Sequence, residues 1–85
     1  MRVVVLFKEQ RDYTRAVYEY LHDFERRTGH VLETLDPDSR EGAGFIETYD
    51  ILEFPAILAI SADGRLQNQW KGLPLPTINE VSYYV

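Results

Sequence analysis

Apolar and polar residues are laid out along this chain in blocks, and the period changes from block to block. Val3-Val4-Val5-Leu6-Phe7 is an unbroken apolar run rich in β-branched residues, the pattern of a strand buried on both faces. A polar stretch from Lys8 to Asp12 follows. Tyr13, Val17, Tyr20, Leu21 and Phe24 then recur at spacings of three and four, which predicts an amphipathic helix, with Glu19, Asp23 and Arg26 off the apolar stripe. Asp12 is the expected N-cap of that helix and Gly29 its expected C-cap.

Val31 to Leu35 reads as a second strand, ended by the turn formers Asp36-Pro37-Asp38. Asp38-Ser39-Arg40-Glu41 has the capping-box form and opens a helix with Ala43, Ile46 and Tyr49 on one side. Gly42 and Gly44 weaken that helix by roughly 1 kcal/mol each relative to alanine; they suit either close packing or a mobile first turn. Pro55 delays the next strand, which should be central and run from Ala56 to Ile60. Ala62-Asp63-Gly64-Arg65 carries the Asp-Gly pair of a tight hairpin, so the alternating strand Leu66 to Lys71 should be antiparallel. Gly72 and Pro74-Leu75-Pro76 close it. Thr77-Ile78-Asn79-Glu80 is a second capping box, opening a short helix with Ile78, Val81 and Tyr84 or Val85 inward. The order βαβαββα predicts an α/β fold, a mixed four-stranded sheet with helices on both faces. Residues 1–85 should form a single domain, without repeats, linkers or low-complexity segments.

Composition narrows the chemistry. The chain has no cysteine, which excludes disulfides, thiolate metal sites and cysteine-bound iron–sulfur clusters, and points to the cytoplasm. The apolar run at the N-terminus stops at Lys8 with no small-residue cleavage site after it, so it reads as a strand and not a signal peptide. No stretch approaches the roughly 20 apolar residues of a transmembrane helix, so no membrane partner is expected. A net charge of −5 opposes nucleic-acid binding, and the Arg26-Arg27 doublet fits a helix C-terminus instead. His22 and His30 are isolated, so no metal site is predicted. Ser39, Ser61 and Ser82 carry no nucleophile motif, and the carboxylates are spread too evenly to single out an acid–base pair. No catalytic residue and no cofactor are predicted.

Four segments resemble the minimal thioredoxin-like fold of the glutaredoxins over nearly the whole chain. Tyr49-Asp50-Ile51-Leu52-Glu53-Phe54-Pro55-Ala56-Ile57-Leu58 is similar to the family's Tyr-x-Ile-x-x-x-Pro-Thr segment, whose proline is cis and leads into the central strand. Leu35-Asp36-Pro37-Asp38 resembles the end of its second strand. Asp63-Gly64 matches its hairpin turn, and Trp70-Lys71-Gly72 the end of the strand after it. The departure is at the active site. Where the family has Lys, two residues and Cys-Pro-Tyr-Cys, this chain has Lys8, Glu9, Gln10 and Arg11-Asp12-Tyr13-Thr14. Lys8 and Tyr13 stay in register, whereas Arg11 and Thr14 stand at the cysteine positions. A thiolate is the nucleophile of thiol–disulfide exchange, so the resemblance implies the fold and denies the reaction to this chain's own residues.

Two binding readings remain. In the family, the backbone of the residue before the cis-proline pairs with an extended substrate segment. That residue corresponds to Phe54, with Leu52 two positions earlier, and this favours a redox-inactive module holding a protein or peptide at the Phe54–Pro55 edge. Phe54 is alternatively free to fill the vacant groove. Tyr18 and Tyr83 would extend an aromatic patch. The second reading is glutathione or another small anion at the first-helix N-terminus. The lysine that Lys8 resembles contacts glutathione's carboxylate, and Arg11 and Arg15 would add charge. Glu9, Asp12 and Glu53 oppose it, and the family's diglycine and acidic pair are missing after the last strand, where Leu73-Pro74 follows Gly72. The candidate binding residues are Lys8, Arg11, Tyr13, Thr14, Leu52, Phe54 and Pro55. A third reading is a structural domain that self-associates through its tyrosines and Trp70.

Overall fold

A computed structural model describes all residues, 1–85. Its elements run β1 (Arg2–Leu6), α1 (Thr14–Thr28), β2 (Glu33–Leu35), α2 (Arg40–Tyr49), β3 (Ala56–Ile60), β4 (Leu66–Lys71) and α3 (Ile78–Ser82). The strands form one mixed sheet in the order β2-β1-β3-β4, with β1 parallel to β2 and antiparallel to β3, and β4 antiparallel to β3. The two continuous apolar runs are the two central strands. Val3, Val5, Phe7, Ile57 and Ala59 face α1 and α3, where they pack with Val17, Phe24 and Val81. Val4, Leu6, Ala56, Leu58 and Ile60 face α2, whose Phe45, Ile46 and Tyr49 cover them together with Ile51. Alternation along a strand thus feeds two cores at once. No helix is long and apolar enough to cross a membrane.

Both helix entries differ from expectation. Asp12 does not cap α1. The N-cap is Tyr13, in helical conformation at φ −85° and ψ −11°, and no side chain caps it. A side-chain cap needs extended backbone at that position. Asp38 does not cap α2 either; the extended Ser39 does, accepting from Gly42 N–H at 3.0 Å. Asp36 Oδ1 accepts from Asp38 N–H at 2.8 Å, a local turn that shifts the helix start by one residue. Ala43 is consequently exposed, and Phe45 joins Ile46 and Tyr49 on the inner face. Gly42 is a close approach: a Cβ there would lie 2.0 Å from the Asp36 carbonyl oxygen, whereas one on Gly44 would meet nothing within 4 Å. The other caps hold as expected. Gly29 is left-handed with its N–H donating to Glu25 C=O at 2.8 Å, and Thr77 and Glu80 form a reciprocal capping box.

The strands depart from their patterns in two places. The second strand is shorter than Val31 to Leu35; Val31 is exposed and only Glu33–Leu35 pairs with β1. In β4 the alternation breaks. Ala59 pairs with Asn68 but Ile60 pairs with Leu66, so Gln67 is an extra residue in a bulge. Leu66 therefore packs on the α2 side while Trp70 packs on the α1–α3 side, although strict alternation would put both on one face.

Candidate functional site

The Lys8–Thr14 loop is held by its own side chains. Gln10 turns the chain with a φ of 59°. Thr14, almost fully buried, sits at the hub: its hydroxyl donates to Lys8 C=O at 2.7 Å and accepts from Arg11 N–H at 3.0 Å. The Tyr13 hydroxyl accepts from Lys8 N–H at 2.9 Å. These bonds bring Lys8, Arg11, Tyr13 and Thr14 into one small structure. The Thr14 N–H closes the turn onto Arg11 C=O at 3.1 Å and Val17 N–H reaches Tyr13 C=O, leaving the N–H groups of Arg15 and Ala16 without an intrachain acceptor.

Charge around the loop is largely paired. Lys8 Nζ lies 3.6 Å from Asp38 Oδ1 and 6.0 Å from the centre of the Phe54 ring. Arg15 Nε pairs with Glu19 Oε1 at 3.3 Å. Glu9 accepts from the Tyr18 hydroxyl, whose ring stands edge-on to Phe7 at 5.4 Å, and that hydrogen bond raises the Tyr18 pKa. The Arg11 guanidinium is exposed and forms no ion pair. Exposed pairs of this kind contribute at most about 1 kcal/mol each, so the hydrogen bonds of Tyr13 and Thr14 set the geometry.

The second loop lies against the first through the Lys8–Phe54 contact. Phe54–Pro55 is a cis peptide, as is Leu73–Pro74. Pro55 is buried and its C=O accepts from Gly72 N–H at 2.8 Å. Gly72 has a φ of 74°, and a Cβ there would meet the Glu53 carboxyl at 2.2 Å, so the two loops meet at a position that glycine alone fits without displacing Glu53. Phe54 is half-buried, and its backbone N–H and C=O have no partner in the chain. Leu52 is 83% exposed and Leu73 57%. Leu52 thus stands on the rim and is not drawn into the hydrogen-bonded loop. Asp38 and Leu73 are contributors that sequence reasoning missed, and Glu53, expected only as an opposing charge, lies against Gly72. Only Pro74 hinted at Leu73, because a second X–Pro step invites a turn beside the first. No grouping of His, Asp or Glu here could hold a metal ion.

This layout, two βα units followed by a hairpin and a helix around a β2-β1-β3-β4 sheet, is a thioredoxin-like fold. The chain is similar to the solved structure of thioredoxin 1 from the thermophilic eubacterium Thermosipho africanus TCF52B, with a TM-score of 0.64 and 11% identity over 99% of this chain and 89% of that one. The likeness is one of fold. No protein-family model matches the chain, and no curated protein sequence matches it.

Proposed function

We propose that the chain is a redox-inactive binding module that holds an extended polypeptide along the Phe54–Pro55 edge. One observation carries the proposal: Phe54 offers an unpartnered N–H and an unpartnered C=O between the exposed Leu52 and the cis peptide. A donor and acceptor on one residue form the smallest strand-pairing unit, and flanking apolar side chains supply the affinity that two hydrogen bonds lack. Selecting a random peptide library on the isotope-labelled domain tests it. Enriched peptides should shift the amides of Leu52, Phe54 and Leu73, and the pair Leu52→Asp with Leu73→Asp should weaken them about ten-fold or more. Enriched peptides that shift other residues, or no enrichment at all, would refute it.

A second reading has its own support. The N-terminus of α1 has no side-chain cap and no acidic residue in its first turn, and the Arg15 and Ala16 N–H groups point into it unbonded. A small anion such as glutathione's carboxylate suits such an end. Saturable amide shifts at Lys8 to Ala16 on titrating glutathione, lost at high salt, would favour it over the peptide-binding reading.

A further inference from the structure

Trp70, Tyr83 and Tyr84 form an aromatic cluster toward the end of the chain. Trp70 of β4 and Tyr84 pack at a centroid distance of 5.8 Å with planes at 70°; Tyr83 and Tyr84 pack at 5.0 Å with planes at 81°. Both contacts of Tyr84 are thus edge-on and not stacked. Together with Asn68, Asn79 and Glu80 these rings line one open depression. Tyr83 is 83% exposed, so its ring is open to a ligand from solvent.

The depression carries one formal charge, and it is negative. Glu80 Oε1 accepts from the Thr77 hydroxyl at 3.0 Å and from Thr77 N–H at 3.3 Å, which with a smaller contribution from the Trp70 indole keeps the carboxyl below its usual range. No basic residue faces it. Lys71 follows Trp70 but pairs with Ala56, on the α2 side, whereas Trp70 pairs with Ile57, on the α1–α3 side. The chain's internal cation–ring contacts, Arg2 over Phe45 and Lys8 over Phe54, lie elsewhere. Three aromatic rings lining a depression beside a fixed carboxylate, on a chain of net charge −5, complement a weakly hydrated organic cation.

We propose that the depression formed by Trp70, Tyr83, Tyr84 and Glu80 binds an alkylated ammonium group. The rings take the methyl groups and the spread positive charge, and Glu80 supplies the counter-charge. A bare lysine ammonium holds its water too strongly to compete.

Trp70 is the chain's one tryptophan, so selectively excited tryptophan fluorescence reports on this site. Choline should change that signal saturably and bind about five-fold or more tightly than 3,3-dimethylbutan-1-ol, its uncharged isostere, because the cation–ring attraction is absent in the alcohol. Glu80→Gln keeps an acceptor for Thr77 and removes the charge, so it should weaken choline about three-fold or more and leave the alcohol unchanged. Tyr83→Ala, at an exposed position, should lose choline binding without a change in melting temperature. A trimethyllysine hexapeptide binding more tightly than choline would assign the ammonium to a modified peptide, and equal affinity would assign it to a free small cation; both support the site. Equal affinity for choline and the alcohol, or choline binding that survives Tyr83→Ala, would overturn it. Neither variant touches Phe54, so failure here leaves the peptide-binding edge standing.

Discussion

Gly42→Ala would place a methyl group 2.0 Å from the Asp36 carbonyl oxygen, 2.8 Å from its carbonyl carbon and 3.0 Å from Ser39 Oγ. The carbonyl has little freedom to retreat. It accepts from Ser39 N–H at 3.0 Å and from the Ser39 hydroxyl at 2.6 Å, and Pro37 beside it is buried. Forcing a methyl into packed backbone costs about 1–3 kcal/mol. Loss of the Ser39 cap adds about 1 kcal/mol, and alanine's better helix propensity offsets about 1 kcal/mol. The net expectation is a destabilisation of about 1–3 kcal/mol. Gly44→Ala meets nothing within 4 Å and should instead stabilise the same helix by up to about 1 kcal/mol. For a domain of this size, that difference corresponds to melting temperatures about 10–30 °C apart. Thermal melts and urea titrations of both variants read it directly. The same substitution should disturb Lys8, because the displaced loop carries Asp38, and amide shifts at Lys8 would show it. A Gly42→Ala variant as stable as the wild type, or a Gly44→Ala variant equally weakened, would refute the close-approach explanation.

Other expectations follow from the same geometry. Tyr13→Phe removes the acceptor of Lys8 N–H and should cost about 1 kcal/mol in urea unfolding; Thr14→Val strands two backbone groups and should cost more, about 1–3 kcal/mol, while Thr14→Ser should recover most of it. Glu33, held down by Arg2, Glu80, held down by Thr77, and Asp63, held down by the Ser61 hydroxyl, all ionise more readily when folded. Their contribution is present above the unfolded values of 4.5 and 3.8 and is lost as pH falls through the lower folded values, so the melting temperature should drop below about pH 4.5, less steeply in Arg2→Met; a flat acid profile would contradict this. Arg11→Cys with Thr14→Cys should form an intramolecular disulfide, because the two residues already close one turn, with Thr14 N–H donating to Arg11 C=O at 3.1 Å; only intermolecular pairing on mild oxidation would show that the loop is built otherwise.

The order of elements was legible because periodicity alone separates strands from helices here. Val3 to Phe7 and Ala56 to Ile60 are unbroken, and both became strands buried on two faces. What escaped was local geometry set at longer range. Nothing in Asp12 or Asp38 announces that the residue after it takes over the entry to the helix, since that depends on whether the cap backbone is extended. The bulge at Gln67 was illegible for a similar reason: its neighbours alternate correctly, and only pairing with β3 exposes the extra residue. Gly42 and Gly44 look equivalent in sequence, yet one abuts a carbonyl and the other faces open space. Of the candidate site, the sequence pointed to Lys8, Tyr13, Thr14 and Phe54, which lie together, but gave no sign that Asp38 would hold Lys8 or that Glu53 would sit against Gly72.

Thr14 and Phe54 stand in opposite conditions, and the contrast bears on the proposed peptide-binding edge. The Thr14 hydroxyl is nearly buried and spends its proton and one acceptor lone pair on backbone groups of its own loop, so it has no donor left to offer a ligand. The Tyr13 hydroxyl accepts from Lys8 N–H. At Thr14, which stands at a position resembling a reactive one, the observed hydrogen bonds are internal to the loop. Phe54 keeps both backbone groups unspent, on a loop fastened on its far side by the Pro55–Gly72 hydrogen bond. A loop that is rigid yet unpaired pays little ordering entropy when a segment docks on it. On the proposed reading, the hydrogen bonds of Thr14, Tyr13 and Gly72 hold the two loops while Phe54 keeps the capacity to pair with a docked segment.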